Sequence, residues 1–174
     1  MIGSAGLPVP NIEFASEMRA RAVIEMLELK PHPEGGWYRE IYRSGARVPT
    51  PRGERSAITT IYYLLERRDA SRWHVVDADE IWHFYAGAPL ELLAYDPQVR
   101  ALARHALGSL GAGQQQVAAI SAGIWQAARS LGEFSLLGCS VGPGFDFEDF
   151  RFVVNLAGHR AHFEGRLAPW AALL

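Results

Sequence analysis

The chain of 174 residues has a single cysteine, Cys139. No disulfide can form within it, and no paired-cysteine zinc site exists. It also lacks a surplus of either charge. Seventeen Lys plus Arg against nineteen Asp plus Glu leave a net −2, which provides no basic footprint for nucleic acid and no polybasic patch for a membrane surface. No apolar run approaches the roughly 18 residues of a membrane-spanning helix. Residues 1–11 show neither a basic lead nor a long apolar stretch, so a secretory signal is not expected and a cytoplasmic location is. There is no N-x-S/T site, no internal repeat and no low-complexity segment. What is present is ordinary for a globular domain: 49% hydrophobic and 21% charged residues, enough for one full-sized core. Nineteen aromatics, 17 Gly and 10 Pro favour a turn-rich β fold over a helix bundle.

The texture along the chain agrees. Residues 1–14 read as a flexible lead. From a Ser16 cap, Ala20, Val23, Ile24 and Leu27 fall at helical spacing, with Glu17, Arg21, Glu25 and Glu28 opposite. Pro31 and Pro33 stop this amphipathic helix. After Gly35-Gly36 short apolar segments follow one another, punctuated by Gly and Pro. Strands are expected at 37–43, 56–65, 72–76, 80–85, 90–95, 101–107, 115–120, 125–129 and 134–141. Residues 48–54, with two prolines and a glycine, read as a loop. Such spacing suggests a sandwich or barrel. Residues 15–150 form the expected domain, and residues 151–174, of weaker pattern, an appendage of uncertain structure. The apolar end 170–174 suits the cover of a neighbour or a subunit interface.

The densest chemistry lies in RWHVVDADEIWHFYAG, residues 72–87. Two imidazoles and a carboxylate within ten residues, His74, Glu80 and His83, are types that hold transition metals. Strand periodicity divides them. Glu80, Trp82 and Phe84 share one face, whereas Ile81, His83 and Tyr85 share the other. Glu80 and His83 therefore reach one cavity only if a bulge intervenes; otherwise His83 packs on the far face of the sheet. His74 with Glu80 across a hairpin is the better pair. There is no GxSxG elbow, and nothing in the sequence activates Cys139 as a nucleophile. In the tail, His159, Arg160, His162 and Glu164 form a polar cluster, read as a ligand site or as surface residues without a role.

These residues resemble the first motif of the cupin superfamily, G(X)5HXH(X)3–4E(X)6G. Glu80 is followed by six residues and Gly87. His74 stands for the second motif histidine, one residue further from the glutamate than usual, and Arg72 stands where the first belongs. The second motif, G(X)5PXG(X)2H(X)3N, is matched by Gly123, while Ser121, Gln126 and Ser130 replace its proline, histidine and asparagine. The blocks PHPEGGWYREIYRS, SAITTIYYLL, DEIWHFYAGAPLELL, SAGIWQAA and FSLLGCSVGPGFDFEDF together resemble one small branch, the fifth cupin family, a domain family of no established reaction. The resemblance runs from about Glu17 to Phe150. It implies an all-β double-stranded β-helix, a cupin jelly-roll barrel, with an N-terminal α-helix, often as a homodimer.

Within such a barrel, inward residues at every second position enclose a cavity. Its expected lining is Arg72, His74, Glu80, Trp82, Phe84 and Gln126, with Glu34 at the mouth on the Pro33–Gly36 turn. Tyr63 and Arg55 are candidates by their place on flanking strands. The plain alternatives are that Trp82 and Phe84 fill the core, and that Glu34 is a surface charge on a helix-to-strand turn. His74 and Glu80 are the candidate catalytic pair. His74, Glu80 and Gln126 are what remains of a ligand set for a divalent metal ion, with glutamine a poor substitute for imidazole. The expected partner is a small molecule. The expected function is epimerase- or isomerase-like acid–base chemistry on a carbohydrate or related polar metabolite. The alternatives are a binding protein without chemistry and a storage-like cupin with a filled interior.

Overall fold

The computed structural model describes residues 20–110, 113–165 and 167–174. The expected lead at 1–14 and the Ser16 cap lie outside the described residues. Helix α1 (Ala20–Met26) buries Ala20 and Val23 and exposes an Arg21–Glu25 pair one turn apart. Among the described residues thirteen strands follow in order: β1 (Lys30–Pro31), β2 (Trp37–Arg43), β3 (Arg47–Thr50), β4 (Gly53–Ser56), β5 (Thr59–Glu66), β6 (Ala70–Val76), β7 (Asp79–Gly87), β8 (Leu90–Asp96), β9 (Ala101–Leu107), β10 (Val117–Ile120), β11 (Trp125–Ser130), β12 (Phe134–Gly142) and β13 (Phe150–Phe152). No helix of the described residues is long and apolar enough to cross a membrane.

Eleven of the strands form two antiparallel sheets, β1-β2-β5-β12-β7-β10 and β13-β6-β11-β8-β9, and β3-β4 stand apart as a pair. Their inner faces meet as in a jelly roll. Alternation is cleanest on β7, where Glu80, Trp82, Phe84 and Ala86 are buried and Ile81 and Tyr85 are exposed. His83, partly exposed, takes the outward parity.

The interior is divided along the barrel axis. At one end Leu65, Phe84, Leu90, Leu92, Leu107 and Leu137 pack into a closed apolar core. Moving along the same inner rows, the side chains become polar: Phe84 and Trp82 give way to Glu80 on β7, Leu137 to Cys139 on β12, and Leu65 to Tyr63 on β5. The sequence thus packs one half of the barrel and leaves the other half hollow.

Both outer faces are partly clothed. Helix α1 covers Leu64, Ala86, Phe134 and Leu136 on the six-stranded sheet. The tail, read from sequence as an appendage, covers the five-stranded sheet. Its 3-10 turns and the residues that flank them bury Val153, Phe163 and Leu167 against Trp73, Val75, Leu93, Tyr95 and Trp125, and the Trp73 indole donates to the Trp170 carbonyl at 3.0 Å. The apolar end 170–174 therefore covers the chain's own sheet, which corrects the expectation that it covers a neighbour. His162 bonds the Tyr95 hydroxyl at 2.9 Å, so this tail histidine belongs to the seam.

Residues 48–54 also differ from expectation, since β3 and β4 form a hairpin. The prolines and glycine disguised it, because Pro49 is tolerated on an edge strand. Arg55 pins this hairpin to the end of the barrel through two hydrogen bonds to Asp149, at 2.8 and 3.1 Å. It lies outside the cavity lining and serves as a brace.

Candidate functional site

The hollow half of the barrel is a cavity of about 370 Å³, in the range of small-molecule sites. Its inner wall carries His32, Glu34, Tyr63, His74, Glu80 and Cys139, its mouth Lys30, Glu40, Arg43 and Asp146, and its aromatic rim Tyr38, Phe145, Phe147 and Phe150. Of the residues expected from sequence, Glu34, Tyr63, His74 and Glu80 meet here. The open volume speaks against an interior filled for storage.

Arg72, Trp82, Phe84 and Gln126 do not line the cavity, and their expected places are corrected. Strand β6 carries a bulge: Gln126 pairs with His74 and Ala128 with Ser71, so three steps on β6 oppose two on β11. The extra residue breaks the parity that joined Arg72 to His74. Ser71 and His74 point inward, Trp73 packs under the tail, and Arg72 is exposed, with its guanidinium 4.3 Å from the centre of the Phe152 ring. From outside, Arg72 donates to the Pro33 carbonyl at 2.9 Å and braces the turn that carries Glu34. Trp82 and Phe84 fill the packed half. Gln126 lies behind Glu80, one layer below the cavity.

That lower layer sets the orientation of Glu80. The Trp82 indole donates to Gln126 Oε1 at 3.1 Å, and Gln126 Nε2 donates to Glu80 Oε2 at 2.5 Å. Because an indole N–H can only donate, the amide has one orientation: oxygen toward Trp82, nitrogen toward Glu80. Glu80 is 8% exposed. Burial, helped by the charge of Glu34, pushes its carboxyl up to about 7, although His74 and the bond from Gln126 pull the other way. A carboxylic acid poised near neutrality is suited to exchange protons.

Glu34 arrives from the turn between β1 and β2. Gly35 makes this turn possible: its φ is +118°, and an added Cβ would lie 2.1 Å from the Ala70 carbonyl oxygen. The Gly35 carbonyl accepts from the Tyr63 hydroxyl at 2.8 Å. Glu34 is 7% exposed, not a surface charge at the mouth. Its carboxylate accepts from the Ser71 hydroxyl at 3.2 Å and lies 3.5 Å from His74 Nε2.

His74 is fixed on both sides. Its Nδ1 is 2.7 Å from the Arg72 carbonyl oxygen. A carbonyl only accepts, so Nδ1 carries a proton and Nε2 is the nitrogen presented to Glu34 and the cavity. The ring stacks on Phe150 with centroids 5.1 Å apart. Thus the Arg72 carbonyl orients His74, Glu34 rather than Glu80 is the carboxylate that faces Nε2 and pairs with it once the ring is protonated, and Glu80 stands as a separate acid. A second imidazole, His32, accepts from the Glu34 backbone N–H at 3.3 Å through Nδ1. Burial lowers its pKa and keeps it neutral. The Cys139 thiol is pushed well up by burial and the neighbouring carboxylates, so it is no nucleophile.

His74, Glu80 and Gln126 do not fit the metal-ligand role sketched from sequence. The Gln126 oxygen is committed to Trp82, and its nitrogen has no lone pair to offer. Among the described residues, no group of three or more His, Cys, Asp or Glu is arranged to hold a metal ion.

The sequence reading missed Lys30, His32, Tyr38 and Cys139. Their signals were present. Lys30, His32 and Glu34 alternate through KPHPE, and Cys139 shares parity with Leu137 and Val141 on an apolar strand.

Comparison with known proteins places this architecture. A protein from Shewanella oneidensis of solved structure is 35% identical, with a TM-score of 0.73, over 83% of this chain and 92% of that one. A hypothetical protein from Leishmania major is 33% identical, with a TM-score of 0.72, over 77% and 86%. Oxalate decarboxylase from Bacillus subtilis shares the fold alone, at 14% identity and a TM-score of 0.52, over 70% of this chain and 29% of that one. No curated protein matches the sequence. The family described as Cupin superfamily (DUF985) matches residues 21–153, which leaves nearly all of the packed tail outside the family pattern. The chain belongs to this cupin family.

Proposed function

We propose that the protein binds a small polar metabolite, of carbohydrate type, in the barrel cavity and moves a proton on it, as an epimerase or isomerase does. One observation carries this reading: His74 and Glu80 open on the same cavity, with the carboxyl of Glu80 pushed up to about 7. A base and an acid facing one cavity are what proton removal and return at a carbon centre require. In the neutral imidazole Nε2 holds the free lone pair and takes the proton. Glu34, beside it, stabilises the imidazolium that forms. Glu80, about half protonated at neutrality, returns a proton to substrate. Tyr63 and Ser71 hold the wall around Glu34, while Tyr38, Phe145 and Phe147 offer apolar faces to a sugar-sized ring.

The test is solvent isotope exchange. Aldoses, ketoses and sugar acids are incubated with the protein in D2O, and carbon-bound deuterium is followed by mass spectrometry. Incorporation into at least one compound is expected, reduced about 100-fold or more in His74→Asn and in Glu80→Gln. Binding of these compounds without exchange would overturn the catalytic reading in favour of a pure binding protein.

A further inference from the structure

The chain holds one lysine, Lys30, against sixteen arginines, and that lysine lines the cavity. It lies on edge strand β1 directly opposite Tyr38, and its ammonium sits 5.1 Å from the centre of the Tyr38 ring. Two residues on, His32 lines the same wall, and beyond it Glu34 reaches the interior. The segment 30–34 therefore runs from an exposed ammonium at the mouth to the proton-handling groups inside.

The other cation at the mouth, Arg43, is committed. Arg43 grips Glu40 with two hydrogen bonds, at 3.0 and 2.7 Å, and donates to the Phe145 carbonyl at 3.1 Å. Asp146 accepts from the Glu148 backbone N–H at 3.0 Å. Deeper in, Glu34 is engaged by Ser71 and His74. Among the described residues, no carboxylate lies within ion-pair distance of Lys30. A cation held against an aromatic ring at the entrance of a concave site, with no counter-charge of its own, is set to receive one from a ligand. A lysine ammonium acts there as a point charge, open to carboxylate and phosphate alike.

We infer that the ligand of this cavity bears an anionic group, a carboxylate or a phosphate, that pairs with Lys30 at the mouth while its uncharged body reaches His74 and Glu80. This rests on the proposed binding of a small polar metabolite in the cavity, and it narrows the ligand to an acidic one.

The single lysine makes the test clean, because an amine-selective acetylating reagent reports on Lys30 with only the α-amino group beside it. Glucose, gluconate and glucose 6-phosphate serve as matched neutral, carboxylate and phosphate probes. At least one anionic probe is expected to bind about tenfold or more tightly than glucose, to shield Lys30 from acetylation, and to lose that advantage in Lys30→Gln while Lys30→Arg keeps most of it. Which anionic probe shields better separates carboxylate from phosphate. Equal binding of all three, anion binding unchanged in Lys30→Gln, or no shielding of Lys30 by either anion would overturn the inference. Deuterium exchange on a neutral sugar with Lys30 unshielded would sink this inference and leave the acid–base reading standing. Shielding without exchange would do the reverse.

Discussion

At the scale of single residues, the site depends on how buried polar groups are paired. Gln126 joins Trp82 to Glu80, and among the described residues nothing else bonds the Trp82 indole. Gln126→Leu leaves a buried donor without an acceptor and removes the bond that restrains the Glu80 carboxyl. The expected cost is about 2–4 kcal/mol in urea unfolding. Glu80 itself produces a pH dependence of known sign. Folded, it holds its proton up to about 7; its ordinary value is 4.5. Between these the folded state binds more protons than the unfolded one, so this group's contribution is greatest below about pH 4.5 and declines as pH rises to about 7. The full change is about 3 kcal/mol. Relative to Glu80→Gln, the wild type is expected to lose stability between about pH 4.5 and about pH 7; parallel profiles for the two proteins would contradict the burial of an ionisable Glu80. Part of this was legible in the sequence. Alternation alone put Glu80 inward with Trp82, and the cupin spacing pointed to His74. The partnership of His74 with Glu34 was not, because it joins a turn to a strand 40 residues on, and only tertiary structure brings them together.

At the scale of elements, two local irregularities build the site. The bulge on β6 turns Arg72 out and lets Ser71 and His74 both turn inward to Glu34. No sequence pattern announces such a bulge, since the extra residue is ordinary in type and only the register of the partner strand reveals it. The β1–β2 turn was legible as a turn from Pro33-Glu34-Gly35-Gly36, but its inward direction was not. Gly35→Ala is expected to displace Glu34 and to cost more than about 2 kcal/mol, since the new Cβ meets both an unfavourable φ and the Ala70 carbonyl. Circular dichroism melting and the loss of any exchange activity would register both effects. The tail is a third case. Its 3-10 turns have no helical period to read, yet Leu167 is fully buried. Leu167→Ala is expected to destabilise by about 2–5 kcal/mol while leaving ligand binding in the cavity unchanged, because it packs on the opposite face of the sheet.

At the scale of the whole molecule, the barrel is a packed half that supports a hollow half. Leucines and Phe84 close one end, and the same inner rows carry Glu80, Cys139 and Tyr63 into the cavity. The fold class was readable because short alternating strands and cupin-like spacing agree with each other. The division of the barrel was not, because Trp82 and Phe84 share parity with Glu80 and differ only in depth, which alternation does not encode. The metal set was misjudged for a related reason: spacing places Gln126 on the right strand but cannot tell which end of its amide faces Glu80.

The central claim is that Glu80 and His74 form an acid and a base in one enclosed site, with Glu80 poised near neutrality. The most direct measurement is the pH titration of the Glu80 side-chain carboxyl by 13C NMR, assigned by difference from Glu80→Gln. A midpoint near 7 is predicted, moving further up in Gln126→Leu as the bond from Gln126 is lost. A midpoint in the ordinary carboxylate range, unmoved by that substitution, would contradict it.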